Sequence, residues 1–196
     1  MEDTNMRVLL LLGQGFEDAE AVCALDVCGW TSYRPALPGV SVEVAALAAT
    51  VRGRFGTSFA ADVLVPDVDC ARYGGLVIPG GFRPEFDEVY CEDVYRVIRG
   101  FAQAGKPIAT MCVGVIPVAR AGALKGREAT TYAYSRHDNF AMIEECGCRT
   151  VRQPVCNGGG IISCSGPAYS EDVMRLFMQE LVGPQVAEEL DTYRRG

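Results

Sequence analysis

Cys112 is the residue in this sequence whose position most clearly suggests chemistry. It follows an apolar run at residues 107–111 that predicts a buried strand, and Gly114 lies two positions further on, where a helix is predicted to begin. A cysteine at such a turn matches a nucleophile elbow with cysteine in place of serine. The N-terminus of the following helix would favour the thiolate and lower its pKa. The alternative is a packed core cysteine, one of nine in the chain, and the spacing alone does not separate the two.

Three other features could assist such a thiol. Glu20 lies just inside a predicted helix and can lean toward the same edge of the sheet. Gly80 and Gly81 follow a buried strand, and glycines there either form a plain turn or let backbone N–H groups approach a small ligand. His137, the only histidine, falls in a predicted helix downstream of Cys112. It could point back toward the site, but a histidine in such a place is more often a solvated surface group.

Cofactor and metal sites have weaker support. Gly13-Gln14-Gly15 begins like a dinucleotide-binding fingerprint, but the third glycine is missing, and Glu17 and Asp18 stand where a phosphate would meet the helix N-terminus. These acids are better explained as stabilising the start of the helix, so we expect no cofactor. The cysteines lack the paired CxxC spacing of zinc sites and offer only Cys146-Gly147-Cys148 with Cys156 nearby. We therefore expect no metal.

Length and charge restrict the class of protein. A chain of 196 residues can bury a full core, and we expect a single domain over residues 1–196. The net charge of −7 argues against nucleic acid or an anionic membrane surface as a partner. No apolar run approaches the length that spans a bilayer, and the run at residues 8–12 is too short for a signal peptide. We expect a cytoplasmic protein with mostly reduced cysteines.

Strand and helix patterns alternate along the chain. The predicted strands are residues 7–12, 40–48, 59–65, 75–79, 106–111, 129–131, 151–156 and 161–164, the last two joined as a hairpin. The predicted helices are residues 18–30, 94–104, 113–121, 134–146 and 170–192, the last with a possible break at Gly183-Pro184. This alternation predicts an α/β fold with a mainly parallel sheet and helices on both faces. Ligands bind beyond the carboxyl ends of the strands in such sheets.

Five segments carry a family resemblance. "GFEDAEAVCALDV", "GLVIPGG", "IATMCVGV", "ALKGREATTY" and "IISCSGPAYS" occur in this order, and together they resemble the ThiJ/PfpI family from Arg7 to about Gly183. That family includes the Parkinson-associated protein deglycase and the PfpI-type intracellular proteases. The resemblance implies a flavodoxin-like three-layer sandwich related to class I glutamine amidotransferase domains. It also implies a homodimer.

The resemblance assigns roles to individual positions. Cys112 matches the family's nucleophilic cysteine, and Glu20 matches the acid that hydrogen-bonds the cysteine sulfur. Gly81 matches the glycine whose amide faces the site, and the backbone of Val113 is the other expected oxyanion contact. Ser165-Gly166-Pro167 matches the loop that flanks the pocket, where deglycase-like members carry arginine at the first position. One polar anchor is therefore changed in this chain.

The chain also departs from the family at both histidine positions. PfpI-type proteases carry histidine directly after the cysteine, where this chain has Val113. Deglycase-like members carry it after paired threonines, where this chain has Tyr132. A Cys-His-acid protease triad cannot be assembled at these positions, so we expect no proteolysis. A tyrosine phenol is a poor general base at neutral pH, but Tyr132 could donate a hydrogen bond to an oxyanion in the pocket.

Two classes of function fit these residues. The first is an enzyme acting on a small electrophile, in which the thiolate adds to a carbonyl and a buried, protonated Glu20 moves the proton. The resemblance implies glyoxalase or deglycase chemistry on reactive dicarbonyls. The second is a sensor of oxidative stress in which Cys112 is oxidised to sulfenic and then sulfinic acid. We prefer the enzyme because Gly81, Cys112 and Glu20 are all present.

Overall fold

The computed structural model describes residues 6–34 and 36–196. Its centre is a seven-stranded sheet in the order β10-β11-β7-β6-β1-β2-β5. The strands of this sheet are β1 (Met6–Leu11), β2 (Val40–Ala46), β5 (Val63–Leu64), β6 (Gly75–Ile78), β7 (Ile108–Met111), β10 (Val155–Asn157) and β11 (Ile161–Cys164). All neighbours pair in parallel except β10 and β11. The prediction of a mainly parallel sheet is confirmed.

Helices cover both faces of this sheet. They are α1 (Asp18–Tyr33), α2 (Glu92–Gln103), α3 (Val115–Arg120), α4 (Asn139–Glu144), α5 (Ser170–Val182) and α6 (Pro184–Arg195). Residues of β1 alternate between two hydrophobic clusters: Leu9 and Leu11 pack with α2, α3 and α4, while Val8 and Leu10 pack with α1, α5 and α6. Burial on both faces is what a continuous apolar run in a parallel strand requires. The layered α/β architecture is therefore confirmed.

Two small sheets accompany the central one. One pairs β3 (Thr50–Arg52) with β4 (Ser58–Ala60) as an antiparallel hairpin, and the other pairs β8 (Glu128–Ala129) with β9 (Arg149–Thr150). The prediction of one strand over residues 59–65 is wrong, because this segment divides between β4 and the edge strand β5. The predicted strands at 129–131 and 151–156 are likewise displaced, since β8 ends at Ala129 and β10 begins only at Val155.

Two helix predictions need correction. The helix predicted over residues 134–146 begins only at Asn139, because the Asp138 side chain caps it by accepting a hydrogen bond from the Ala141 N–H at 3.0 Å. Residues 134–137 consequently form a loop. The final helix is indeed broken at Gly183, whose φ of +91° ends α5 and lets Pro184 begin α6. No helix in the described part of the chain is both long and apolar enough to cross a membrane.

Candidate active site at the carboxyl end of the sheet

Cys112 occupies a sharply turned backbone position directly after β7. Its φ is +53°, and among the described residues it is the one non-glycine residue with a positive φ. That conformation strains a residue with a side chain by about 1–3 kcal/mol. The turn lies tight against β6, because a Cβ on Gly114 would come within 2.3 Å of the Ile78 carbonyl oxygen. The Thr131 hydroxyl also donates to the Cys112 carbonyl oxygen at 3.1 Å. This is the backbone geometry that a nucleophile elbow requires.

Glu20 is buried completely behind this turn. Its Oε2 accepts a hydrogen bond from the Gly80 N–H at 2.6 Å, whereas Oε1 is buried without a hydrogen-bond partner in the described part of the chain. Burial raises the pKa of Glu20 from 4.5 to about 8; the Gly80 N–H opposes this shift and the neighbouring charge of Glu17 adds to it. Glu20 therefore carries a proton at neutral pH.

The electrostatics of Cys112 differ from the sequence expectation. Burial raises the pKa of the Cys112 thiol well above its ordinary value, and a charge on Glu20 raises it further. The Val113 N–H opposes this shift. The expectation that a helix N-terminus lowers this pKa is wrong, because desolvation of the buried thiol outweighs the effect of the six-residue helix α3, which begins three residues later at Val115. Since a charge on Glu20 disfavours the thiolate, the pair holds at most one negative charge near neutral pH.

No hydrogen bond joins the two groups in the described part of the chain. The resemblance implies a hydrogen bond from the Glu20 carboxyl group to the Cys112 sulfur, but the one hydrogen bond that the described residues make to this carboxyl group comes from Gly80. The unpartnered Oε1 is the atom left to exchange a proton with a neighbouring group. A proton shuttle needs such a free oxygen within the site.

Gly80 and Gly81 are glycines for steric reasons. A Cβ on Gly80 would lie 2.7 Å from the Cys112 Cβ, and one on Gly81 would lie 2.2 Å from the ring of Phe86. Larger residues would push the loop away from the thiol. Gly81, Cys112 and Val113 instead line one cavity together, so backbone N–H groups can approach a ligand there.

The cavity in front of Cys112 has a volume of about 760 Å³. Tyr132 and Pro167 line it, as the sequence predicted for pocket residues. Ser165 and Gly166 do not, because they line a neighbouring cavity of about 430 Å³ that Tyr132 and Pro167 separate from the first. Gly80 and Glu20 lie behind Cys112 rather than on the cavity wall.

His137 is exposed and lies on the cavity wall. It belongs to the loop at residues 134–137 rather than to a helix, and its N–H donates to the Ser135 hydroxyl at 3.2 Å. No hydrogen bond joins it to Cys112 in residues 6–34 and 36–196. Its exposure agrees with the solvated surface group that the sequence favoured, and the placement supplies no base to the thiol in this structure.

The family model of DJ-1/PfpI proteins matches residues 6–180. The chain belongs to the DJ-1/PfpI family. It is 30% identical to deglycase PfpI of Pyrococcus furiosus over 177 residues, which cover 90% of this chain and 99% of that protein. It is 34% identical to a protein of Archaeoglobus fulgidus over 178 residues, or 90% of this chain and 96% of the other.

Solved structures of the DJ-1/PfpI family share the fold. Drosophila melanogaster DJ-1beta matches with a TM-score of 0.80 at 21% identity, over 96% of both chains. Oxidised Toxoplasma gondii DJ-1 matches with a TM-score of 0.78 at 23% identity, over 96% of this chain and 97% of that one. These likenesses confirm the flavodoxin-like α/β sandwich.

Several cavity residues of this DJ-1/PfpI protein were not found from sequence. Arg54, Arg83 and Arg136 line the cavity with Asp87. Arg54 lies on the hairpin between β3 and β4, and Arg136 lies on the loop mistaken for helix. No motif marks these arginines. A signal existed only for Arg83, since it comes two residues after the Gly80-Gly81 pair.

Metal binding finds no support in the described residues. No group of three or more His, Cys, Asp or Glu side chains in them is arranged to hold a metal ion. All nine cysteines are free thiols, and Cys148 and Cys156 are buried. Of the three cysteines with unusual spacing, these two pack as interior residues and Cys146 is half-buried.

Proposed function

We propose that this protein converts small reactive dicarbonyl compounds to hydroxy acids through covalent addition of the Cys112 thiol. The observation that carries the proposal is the placement of Cys112 on the wall of a cavity, with the buried, protonated Glu20 directly behind it. Deglycase PfpI of Pyrococcus furiosus, at 30% identity, supports the same class of chemistry. Dicarbonyls are strong electrophiles, so a thiol that is only partly ionised can still attack them.

The reaction would begin by addition. The Cys112 sulfur forms a bond to the aldehyde carbon, the C=O π bond breaks, and the thiol proton passes to the new oxygen to give a hemithioacetal. Gly81, Val113 and Tyr132 line the cavity together with Cys112, and their backbone N–H groups and phenol would stabilise the negative charge that develops on that oxygen.

Glu20 would then carry out the internal proton transfer. The minor ionised form of Glu20 takes the C–H proton of the former aldehyde carbon to give an enediolate, and the resulting acid returns this proton to the adjacent carbon. The hydroxyl proton on the first carbon moves to the oxygen of the second, which leaves a hydroxy thioester on Cys112. Water then breaks the C–S bond and releases the hydroxy acid and the free thiol. The aldehyde carbon is oxidised as its neighbour is reduced, so the sequence of steps needs water but no external oxidant.

Oxidation sensing is the second candidate. Cys112 has no histidine bonded to it in the described residues, and a second thiol, Cys164, lies close enough to raise the pKa of Cys112. Hydrogen peroxide would oxidise the Cys112 thiol to sulfenic acid: the O–O bond breaks, one oxygen bonds to the sulfur, and the other leaves as water with the thiol proton. A sensor of this kind consumes oxidant once per reduced chain, whereas an enzyme turns over.

Product counting separates these candidates. Reduced protein incubated with methylglyoxal is expected to form lactate well beyond one equivalent per chain, because hydrolysis of the thioester regenerates Cys112. Lactate is measured by chromatography against a protein-free control. Methylglyoxal loss that stops at one equivalent per chain, with no lactate, would remove the enzymatic proposal and leave the sensor.

A further inference from the structure

The cavity in front of Cys112 is lined by positive charge in an acidic protein. The chain carries a net charge of −7, yet three arginines, Arg54, Arg83 and Arg136, line this one cavity beside two carboxyl groups, Glu17 and Asp87. Such a local excess of one sign raises the local concentration of ligands of the opposite sign. The arrangement therefore bears on which electrophiles reach the thiol.

Arg54 and Arg136 are the uncompensated members of this group. Within residues 6–34 and 36–196, no carboxylate lies within 4.0 Å of either guanidinium group, and neither makes a side-chain hydrogen bond. Arg83 differs, because its Nε donates to Asp87 Oδ1 at 2.6 Å. That pairing neutralises Asp87. Two exposed cations on the cavity wall are therefore left to meet an anion from solution.

The second carboxyl group does little to compensate them. Glu17 is buried, its carboxylate accepts from the Ala19 N–H, and burial raises its pKa. It makes its hydrogen bond within the first turn of α1, and in the described residues it forms no ion pair with an arginine. The cavity retains a positive charge even with both carboxyl groups ionised.

Arg54 is held in place by a rigid turn. The Arg54 N–H donates to the Phe16 carbonyl oxygen at 3.0 Å, and the Asp18 carboxylate accepts from the N–H groups of Phe55 and Thr57 at 2.9 and 2.8 Å. The Arg54 guanidinium carbon lies over the Phe82 ring, 5.7 Å from its centroid. Such a cation–π contact restricts the positions of the guanidinium group.

Arg136 is placed by the loop after Tyr132. The Asn139 side-chain amide donates to the Tyr132 carbonyl oxygen at 2.8 Å, and Asp138 caps the following helix. The loop between these anchors places Arg136 on the wall of the same cavity that Arg54 lines. An anionic group between the two arginines would leave the rest of the ligand facing Cys112.

We propose that the electrophile that this site selects carries a carboxylate or phosphate group in addition to its reactive carbonyl. This inference rests on the proposed function, since it assigns the substrate class of the same thiol. The cavity volume of about 760 Å³ also exceeds the need of a three-carbon neutral dicarbonyl. Arg54 and Arg136 act as specificity residues that bind the anion.

The test compares two alkylating agents of similar size at the same thiol. Iodoacetate is an anion and iodoacetamide is neutral, and both alkylate Cys112 whether or not the protein turns over any substrate. The rate of alkylation of Cys112 by iodoacetate is divided by its rate with iodoacetamide, and this ratio is divided by the same ratio for glutathione. The result reports how strongly the cavity prefers the anionic agent. Peptide mass spectrometry restricts the measurement to Cys112.

The double variant Arg54→Gln/Arg136→Gln is expected to lower this normalised ratio about tenfold. Each exposed ion pair contributes a factor of about three, and the two factors multiply. Rising salt should lower the ratio in wild type and change it little in the variant. Arg149→Gln, an exposed arginine on β9 outside the cavity, is the matched control and should leave the ratio unchanged. An equal ratio in wild type and the double variant, or an equal fall in the control, would overturn the proposal.

Two further ligands distinguish the anionic groups. Glyoxylate and glycolaldehyde phosphate each combine an aldehyde with an anion, and protection of Cys112 from iodoacetamide by either is expected to exceed protection by neutral glyoxal. The stronger protector identifies carboxylate or phosphate as the group that is bound. Equal protection by all three aldehydes would contradict charge selection. Charge selection without lactate formation would instead contradict only the proposed reaction.

Discussion

Replacing Cys112 with serine is expected to lower kcat/KM for methylglyoxal by a factor on the order of 10³ or more, because every proposed step passes through the Cys112 sulfur. A serine hydroxyl has the size to fill the elbow but is far less nucleophilic. Lactate formation by the purified variant is the measurement, with its melting temperature compared to wild type to show that the fold survives.

A control variant tests whether the loss of activity is specific to Cys112. Cys156→Ser changes another largely buried cysteine by the same atom, on β10 and outside the cavity. It should retain near wild-type kcat/KM. Comparable losses in the two variants would show that a thiol matters for packing rather than for chemistry, and full activity in Cys112→Ser would remove Cys112 from the mechanism.

Glu20→Gln is expected to make the protein more stable at neutral pH while it slows the reaction. Burial raises the pKa of Glu20 from 4.5 in its ordinary state to about 8 in the folded protein. The folded state therefore holds a proton that the unfolded chain releases between these two values. Stability from this group is fully present below pH 4.5 and falls as the pH rises toward 8.

The size of this effect follows from the shift in pKa. At pH 7 the wild-type carboxyl group lowers the free energy of unfolding by about 3 kcal/mol relative to low pH. A glutamine cannot ionise, and its side-chain oxygen can still accept from the Gly80 N–H. Denaturant unfolding of both proteins between pH 4.5 and 8, under reducing conditions, should show the stability advantage of Glu20→Gln growing with pH. Parallel curves would mean that Glu20 titrates as an ordinary exposed carboxyl group.

The same variant probes the chemistry. If Glu20 moves the proton between the two carbons, lactate formation in Glu20→Gln should fall much further than the alkylation of Cys112 by iodoacetamide, which needs no such transfer. A variant that is more stable yet less active indicates a residue kept for function at a cost in stability.

The central sheet could be predicted because its strands are simple. β6 and β7 are short apolar runs buried on both faces, and each ends in a recognisable turn, at Gly80 and at Cys112. Such runs alternate with helical patterns, and that alternation is enough to predict a parallel sheet. The positions of Cys112, Gly81 and Val113 on one cavity follow, since carboxyl ends of parallel strands meet at one edge.

The cavity walls could not be predicted in the same way. The β3–β4 hairpin consists of two three-residue strands with largely exposed side chains, and Asp18 holds the turn between them from a distant point in the sequence. No local pattern reports such a tertiary contact. The loop that carries Arg136 could not be recognised from the sequence, because its residues continue the helical pattern and the helix begins only after the Asp138 cap.

The pKa shifts in the site could be predicted from the sequence only in part. The prediction that Glu20 is kept protonated agrees with its burial, but the prediction of a lowered Cys112 pKa considered the helix and omitted the desolvation of the thiol. Burial is a property of the whole packed structure, and its effect on the pKa outweighs that of a short helix that begins three residues after Cys112.

The most direct test of the nucleophile is to titrate it in the wild-type protein. Reduced protein is treated with limiting iodoacetamide, and the remaining rate of lactate formation is plotted against the alkylated fraction of each of the nine cysteines, read by peptide mass spectrometry. The rate is expected to fall in a straight line with alkylation of Cys112 and to reach zero when that residue is fully modified, whatever the state of the other eight. Lactate formation that persists after complete alkylation of Cys112, or that follows another cysteine, would contradict a reaction at Cys112.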